Sequence, residues 1–285
     1  MLDSPYVTKL IDLAIEEDLS FGDITSELIV PADLVGNGDF VTREGITICG
    51  LPVVDQILSR FKVSFTILDR IQEGDWLKPD TIFLRATGKV RDLLALERVC
   101  LNFLQRMSGV ATVTRQIVEN KPQNVILLDT RKTIPGWRIL DKYSTRIGGA
   151  RNHRMNLGSM IMLKDNHIDA QSEPLSKVLS DLKKIKPAYM PLEIEVRDLS
   201  ELEPAIEFSP EAIMLDNFSV ENLNAAVAMI RSKSPNTKIE ISGGITPEVL
   251  PKFKDLGEVY VSMGALTNSA RSVDISMNLQ VKQGK

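Results

Sequence analysis

"LEIEVRDLSELEPAIEFSPEAIMLDN", residues 192–217, holds two apolar runs on either side of a helical pattern. The first run alternates Leu192, Ile194 and Val196 with Glu193 and Glu195. The second starts at Ala212 and ends on Asp216 and Asn217. Between them, "SELEPAIEF" reads as a helix. Strand, helix and strand in succession make a βα repeat, and such repeats lie in a parallel sheet. The rhythm extends both ways. "VILLDT" (125–130), "MIMLKD" (160–165), "KIEISGG" (238–244) and "VYVSMG" (259–264) are further candidate strands. "VENLNAAVAMIRS" and "TPEVLPKF" are further candidate helices. The sheet is either doubly wound or closed as a barrel.

Upstream the rhythm differs. Residues 5–18 read as an amphipathic helix with Leu10, Leu13 and Ile15 on its apolar side. Residues 35–90 carry short apolar segments and turns, which predict a small mixed sheet, with "LPVVDQILSRF" as a helix inside it. A long helix follows from residue 91. Arg91, Arg98, Asn102 and Arg106 share its polar face, and an interruption is expected at Ser108-Gly109.

The 285 residues suffice for two domains, and 43% hydrophobic with 25% charged residues is an ordinary globular composition. A net charge of -4 disfavours nucleic acid as a partner. No run approaches the roughly 20 apolar residues of a membrane span. Residues 1–15 lack an apolar signal core. Cys49 and Cys100 form no metal-type spacing, so a reducing, cytoplasmic setting is expected. The terminal "QVKQGK" reads as a frayed tail.

Polar residues locate the chemistry. Asp129, Lys164, Glu195, Asp216, Ser242 and Ser262 fall at or near strand C-terminal ends, where barrels of this kind place their sites. Each alone also reads as a cap or turn residue. "DTRKTIPGWR" (129–138) adds Arg131, Lys132 and Arg138. "GGARNHRMNLGSMIMLKDNH" (148–167) adds Arg151, His153, Arg154 and His167. These basic groups sit beside glycines and apolar strand ends, not on a polar helix face, and suit a polyanionic substrate. For His167, a structural hydrogen bond and a chemical role stay open. His153 and His167 lack a third ligand at zinc spacing.

Glu195 and Asp216 lie one βα repeat apart, so both can face one mouth. There they can hold sugar hydroxyls, share a Mg²⁺ ion or stabilise a developing cation. Glu193 is the weaker candidate, a partner for a structural lysine or arginine. "SGG" at 242–244 and "SMGA" at 262–265 offer backbone N–H groups to a phosphate after the last two strands. No dinucleotide fingerprint or Walker loop is present.

An ordered series of motifs over nearly the whole chain resembles the quinolinate phosphoribosyltransferase family. The series is "EEDLSFGDITS", "LERVCLNFLQRMSG", "DTRKTIPGWR", "GGARNHRMNLG", "LKDNHI", "IEV", "MLDN", "SGGI" and "SMGALTNS". The resemblance implies conversion of quinolinate and phosphoribosyl pyrophosphate to nicotinate mononucleotide, pyrophosphate and carbon dioxide, with Mg²⁺, as in de novo NAD biosynthesis. It implies the type II phosphoribosyltransferase fold. An N-terminal α/β sandwich, residues 1–108 joined by 268–285, packs on an open, incomplete α/β barrel, residues 109–267. It also implies a homodimer or higher oligomer, whose active site is completed by the neighbouring subunit.

By the same resemblance, Arg98 reaches the partner subunit's quinolinate. Arg131, Lys132, His153, Arg154 and Lys164 bind substrate carboxylates and pyrophosphate; Arg138, from the basic cluster itself, is a further substrate-binding candidate. Glu195 and Asp216 lie near the ribose and the metal. Ser242, Gly243, Gly244 and Gly264 surround the 5′-phosphate, with Ser262, read from its strand-end position, as a further substrate-binding candidate. Departures from the family pattern are Trp137, Ala150, Asn268 and "EISGG". Three other readings stand beside this one. They are a related type II phosphoribosyltransferase acting on another base without decarboxylation, a lyase barrel using Lys164 as a Schiff-base amine, and a non-enzymatic anion-binding protein.

Overall fold

The computed structural model describes residues 1–281. Helix α1 (Pro5–Leu19) starts at Ser4, whose side chain accepts the Val7 N–H, with Pro5 in the first turn where no partner for its nitrogen is needed. Its fully buried residues are Val7 and Ile11; Leu10 and Ile15 pack partly buried against the same core, as expected, while Leu13 is exposed. Asp23 caps the short helix α2 (Ile24–Ile29). Strands β1 (Val35–Thr42) and β2 (Ile46–Thr47) precede helix α3 (Leu51–Ser59). Strands β3 (Ser64–Ile67), β4 (Trp76–Leu77) and β5 (Ile82–Lys89) follow it.

Helix α4 (Val90–Asn120) runs unbroken through Ser108-Gly109. Glycine there serves close approach: a Cβ on Gly109 would lie 2.0 Å from the Arg271 carbonyl oxygen. The Ser108 hydroxyl accepts the Cys49 N–H at 3.0 Å and donates to the Cys49 carbonyl at 3.1 Å. Both residues therefore fit the helix to its neighbours without ending it.

Beyond α4 come β6 (Val125–Leu128), α5 (Arg138–Ile147), β7 (Ile161–Leu163), α6 (Asp165–Asp169) and α7 (Leu175–Ile185). Then come β8 (Leu192–Val196), α8 (Leu199–Phe208), β9 (Ala212–Asp216), α9 (Val220–Lys233) and β10 (Lys238–Ser242). The chain continues with β11 (Val259–Ser262), α10 (Ala265–Asn268) and β12 (Ile275–Val281). "TPEVLPKF" forms a 3₁₀ helix, Pro247–Phe253, instead of an α-helix, because Pro251 has no N–H to donate.

The chain forms two compact units, one of Met1–Gln116, Thr133–Gly149 and the residues from Leu266 onward, the other of Ile117–Lys132 and Ala150–Ala265. This division runs differently from the expected boundary at 108/109. Segment 133–149 belongs with the first unit, where the Trp137 ring stacks on Phe103 at 4.9 Å and Leu140 is buried. The sheet of the first unit has the order β12-β1-β5-β3. All three pairings are antiparallel, so this sheet is not mixed. Gln280 and Val281, expected in a frayed tail, pair with β1; the rest of that tail lies outside the described residues. Leu51, Val53, Val54, Ile57 and Leu58 of α3 are buried in a core that includes Phe40 and Phe83. Burial contributes roughly 1.5–3 kcal/mol for each such large side chain.

The second unit contains all six strands legible in the βα rhythm, in the order β6-β11-β10-β9-β8-β7 and parallel throughout. No ladder among the described residues joins β6 to β7, so the barrel is open there. Arg151 lies against that edge in a parallel bridge to Leu128, with hydrogen bonds from Asp129 N–H and to the Leu127 carbonyl.

Candidate active site

A cavity of about 280 Å³ opens at the C-terminal ends of the barrel strands. Every strand supplies a wall: Lys132 follows β6, Lys164 follows β7, and Glu195, Asp216, Ser242 and Ser262 come from β8, β9, β10 and β11. The sheet is therefore curled around this space. Arg131, His153 and Arg154 also line it. A larger cavity, about 740 Å³, lies in the first unit along α1, α2 and α4. No strand end lines it, and the chemistry converges on the smaller space.

The Lys164 ammonium donates to Glu195 Oε2 at 2.5 Å. Asp216 Oδ2 accepts from the Asn217 amide at 2.7 Å. The Arg154 pKa is lowered, first by burial and then by the Arg131 charge, against the opposing pull of Glu193 and Glu195. Two guanidiniums crowded on one wall are relieved by an anion carrying more than one charge. The Ser262 hydroxyl is buried, with no hydrogen-bond partner among the described residues. Gly243 and Gly244 both have positive φ, and a Cβ on Gly244 would meet nothing within 4 Å. An unused hydroxyl beside bare backbone and open space suits a phosphate.

His153 occupies the floor. Its backbone N–H donates to buried Asp129 at 2.9 Å. Its Nδ1 accepts the Arg154 N–H at 2.7 Å, and its Nε2 faces Glu193 Oε2 at 3.1 Å and Glu240 Oε2 at 3.4 Å. Burial lowers the His153 pKa, but the hydrogen bonds to Glu193 and Glu240 outweigh it and raise the pKa to about 9. Burial, and beyond it the Glu240 charge, raises Glu193 to about 7 against the His153 hydrogen bond. Both shifts describe one extra proton held by the trio. With Nδ1 accepting an amide N–H, the ring directs Nε2 at the two carboxylates.

The sequence-derived residues separate into three groups. Arg131, Lys132, His153, Arg154, Lys164, Glu195, Asp216, Ser242 and Ser262 converge on the cavity. Gly243, Gly244 and Gly264 stand in the turns after β10 and β11, outside its lining. Arg98 and Arg138 belong to the first unit. Arg98 is exposed on α4, and Arg138 donates to Thr133 Oγ1 at 3.2 Å. His167 accepts the Lys164 N–H at 3.0 Å, a local cap on α6. Glu193 pairs with His153 instead of a lysine or arginine. Glu240 escaped the sequence reading. The available signal was alternation along β10, which puts Glu240 on the same face as Ser242.

Two family profiles match this chain: the quinolinate phosphoribosyl transferase N-terminal domain over residues 23–108 and its C-terminal domain over residues 110–278. The chain belongs to the quinolinate phosphoribosyltransferase family. A nicotinate-nucleotide pyrophosphorylase [carboxylating] of Mycobacterium leprae is 38% identical over 93% of this chain and 94% of its own. Quinolinate phosphoribosyltransferase [decarboxylating] 1b of Nicotiana tabacum is 34% identical over 96% of this chain and 82% of its own. Among solved structures, NadC from Streptococcus pyogenes superposes with a TM-score of 0.92 at 35% identity, covering 98% of this chain and 99% of that one. The nicotinate-nucleotide pyrophosphorylase from Francisella tularensis gives 0.87 at 34% identity, covering 96% of each.

Two groups of residues bear on a metal in this chain. Glu195 and Asp216 are hard oxygen donors on one cavity, and Mg²⁺ takes one or two carboxylates with the rest of its shell from water and substrate phosphate, so they fit. His153, Glu193 and Glu240 also bring ligand atoms within 4.8 Å of one another. A metal on Nε2 would force the ring proton onto Nδ1, against the Arg154 N–H, so this trio does not fit.

Proposed function

We propose that the chain joins the ring nitrogen of quinolinate to the phosphoribosyl group of phosphoribosyl pyrophosphate, forming nicotinate mononucleotide, pyrophosphate and carbon dioxide. One observation carries the reading. Four cationic side chains, Arg131, Lys132, Arg154 and Lys164, meet Glu195 and Asp216 in one cavity. A simple anion-binding protein gains nothing from acids in such a place. A substrate that is anionic at its ends and becomes cationic at C1 uses both signs.

In this reading the basic side chains hold the two carboxylates and the pyrophosphate. The nitrogen lone pair forms the new bond at C1 as the bond to pyrophosphate breaks. Glu195 and Asp216 stabilise the oxocarbenium character of C1, directly or through the ribose hydroxyls. Ser242, Ser262 and the turns at Gly243, Gly244 and Gly264 take the 5′-phosphate. Then the bond between ring C2 and its carboxylate breaks. Its electrons stay on C2 beside the positive nitrogen, and a proton replaces the lost group. Mg²⁺, held by Glu195 and Asp216, would supply charge neutralisation for the leaving pyrophosphate.

Lys164 acts as a fixed charge. Its contact with Glu195 ties the side chain to the acid side of the cavity. Association into a dimer or larger assembly completes the site through Arg98. Its exposure, and that of Phe21, Ile24, Leu28 and Ile29 on and beside α2, support this part of the reading. No helix among the described residues is long and apolar enough to cross a membrane. Buried, unpaired Cys49 and Cys100 accord with a reducing, cytoplasmic setting.

The test is an assay with quinolinate carrying a labelled 2-carboxylate, phosphoribosyl pyrophosphate and Mg²⁺, with nicotinate run in parallel. Labelled carbon dioxide forming only when both substrates are present supports the reading. Turnover of nicotinate at an equal rate would point to a relative that does not decarboxylate.

A further inference from the structure

Two buried acids in a barrel floor are a liability unless something uses them. Glu193 and Glu240 are almost fully buried, and one oxygen of each, Oε1, has no hydrogen-bond partner among the described residues. Their other oxygens converge on a single imidazole nitrogen. That imidazole belongs to the segment lying on the open edge of the barrel, where Arg151 is bridged to β6. Asp129 anchors the same segment by accepting from the Asn152 side chain at 2.6 Å and the His153 N–H at 2.9 Å. His153 thus spans the floor from the open edge to β8 and β10. Its remaining nitrogen holds the backbone N–H of Arg154, whose side chain lines the substrate cavity.

We propose that Glu193 and Glu240 are positioning residues. They turn His153 into a brace, and the brace sets Arg154 for recognition of the second carboxylate of a pyridine dicarboxylate. With both ring nitrogens engaged, His153 acts through Arg154 and makes no bond of its own to the substrate. This proposal rests on the function given above.

Two variants separate reach from charge. Glu240→Gln keeps the length and an acceptor, and its amide N–H offers a donor to Glu193 Oε1, which has no hydrogen-bond partner among the described residues. Glu240→Asp keeps the charge and withdraws the acceptor from His153. Calorimetric titration of the full chain with quinolinate and with nicotinate reads the effect. Glu240→Gln should bind quinolinate within about threefold of the parent, and Glu240→Asp about tenfold more weakly, a loss of roughly 1.4 kcal/mol. Nicotinate binding should change much less, because it lacks the second carboxylate; loosening of the fold alone would weaken both ligands alike. An unchanged preference in Glu240→Asp, or an equal loss in Glu240→Gln, overturns the brace.

The chain has only two histidines, so ¹⁵N spectra of the free protein give a second readout. His153 should show a bare Nδ1 and a protonated Nε2 in the parent and in Glu240→Gln, and a mixture in Glu240→Asp. A proton on Nδ1 of the parent overturns the proposal whatever the ligands do. A parent that ignores quinolinate while keeping this tautomer speaks against the proposed substrate and leaves the brace supported by the spectra.

Discussion

At the residue scale, function depends on charges that face one space. Arg131 follows β6 and shares its wall with Arg154. Replacing Arg131 with alanine removes a forked donor, and a site built for a second carboxylate then loses its discrimination. The expected result is a fall of about 100-fold or more in kcat/KM for quinolinate with the fold unchanged, read from steady-state kinetics and circular dichroism. Most of these cavity residues are legible in the sequence, because a charge at the end of an apolar strand has few structural uses. The floor was less legible. His153 meets acids 40 and 87 residues further along, and only strand order brings them under it. Arg138 stands six residues from Lys132 in the same basic stretch, beyond Pro135-Gly136, and belongs to the first unit, where it donates to Thr133 Oγ1.

At the element scale, α4 and the returning C-terminal segment depend on each other. Gly109→Ala places a methyl group against the Arg271 backbone, so segment or helix must move. Overpacking of this kind costs about 1–3 kcal/mol, and the midpoint of thermal unfolding should drop by several degrees. Sequence patterns mark such a glycine only as a helix breaker, which is why an interruption was expected there. Glu44 ties down the same segment by accepting from Arg271 and from the Asp274 N–H. The Arg271 hydrogen bond is the main cause that lowers the Glu44 pKa below 4.5, with burial opposing it. A depressed carboxyl contributes stability above its unfolded pKa and loses it as pH falls through the folded value. Glu44→Gln should therefore melt about 1–3 °C below the parent at pH 7, an exposed pair being worth little. The gap should close as the pH is lowered past 4, and a gap that persists there would mean the contact is not ionic.

At the scale of the whole molecule, the fold class was readable because βα repeats impose a rhythm that few other architectures share. The sheet of the first unit was not readable in full, since β12 joins β1 from the far end of the chain and nothing local announces the pairing. The proposed shared site makes a prediction at this scale. Arg98→Ala and Glu195→Ala chains are each expected to be inactive. Mixed and allowed to exchange subunits, they should recover about a quarter of the parent activity, because half the dimers are mixed and one site in each is intact. No recovery after exchange has been demonstrated by mass spectrometry would place Arg98 outside the site. The pairing of β12 with β1 also bears on how the protein is made. Residues 36–42 emerge from the ribosome long before residues 275–281 exist, so one border of the first sheet stays bare through most of translation. The nascent chain is then most open to a chaperone, or to misassembly with another nascent copy, along that uncovered strand.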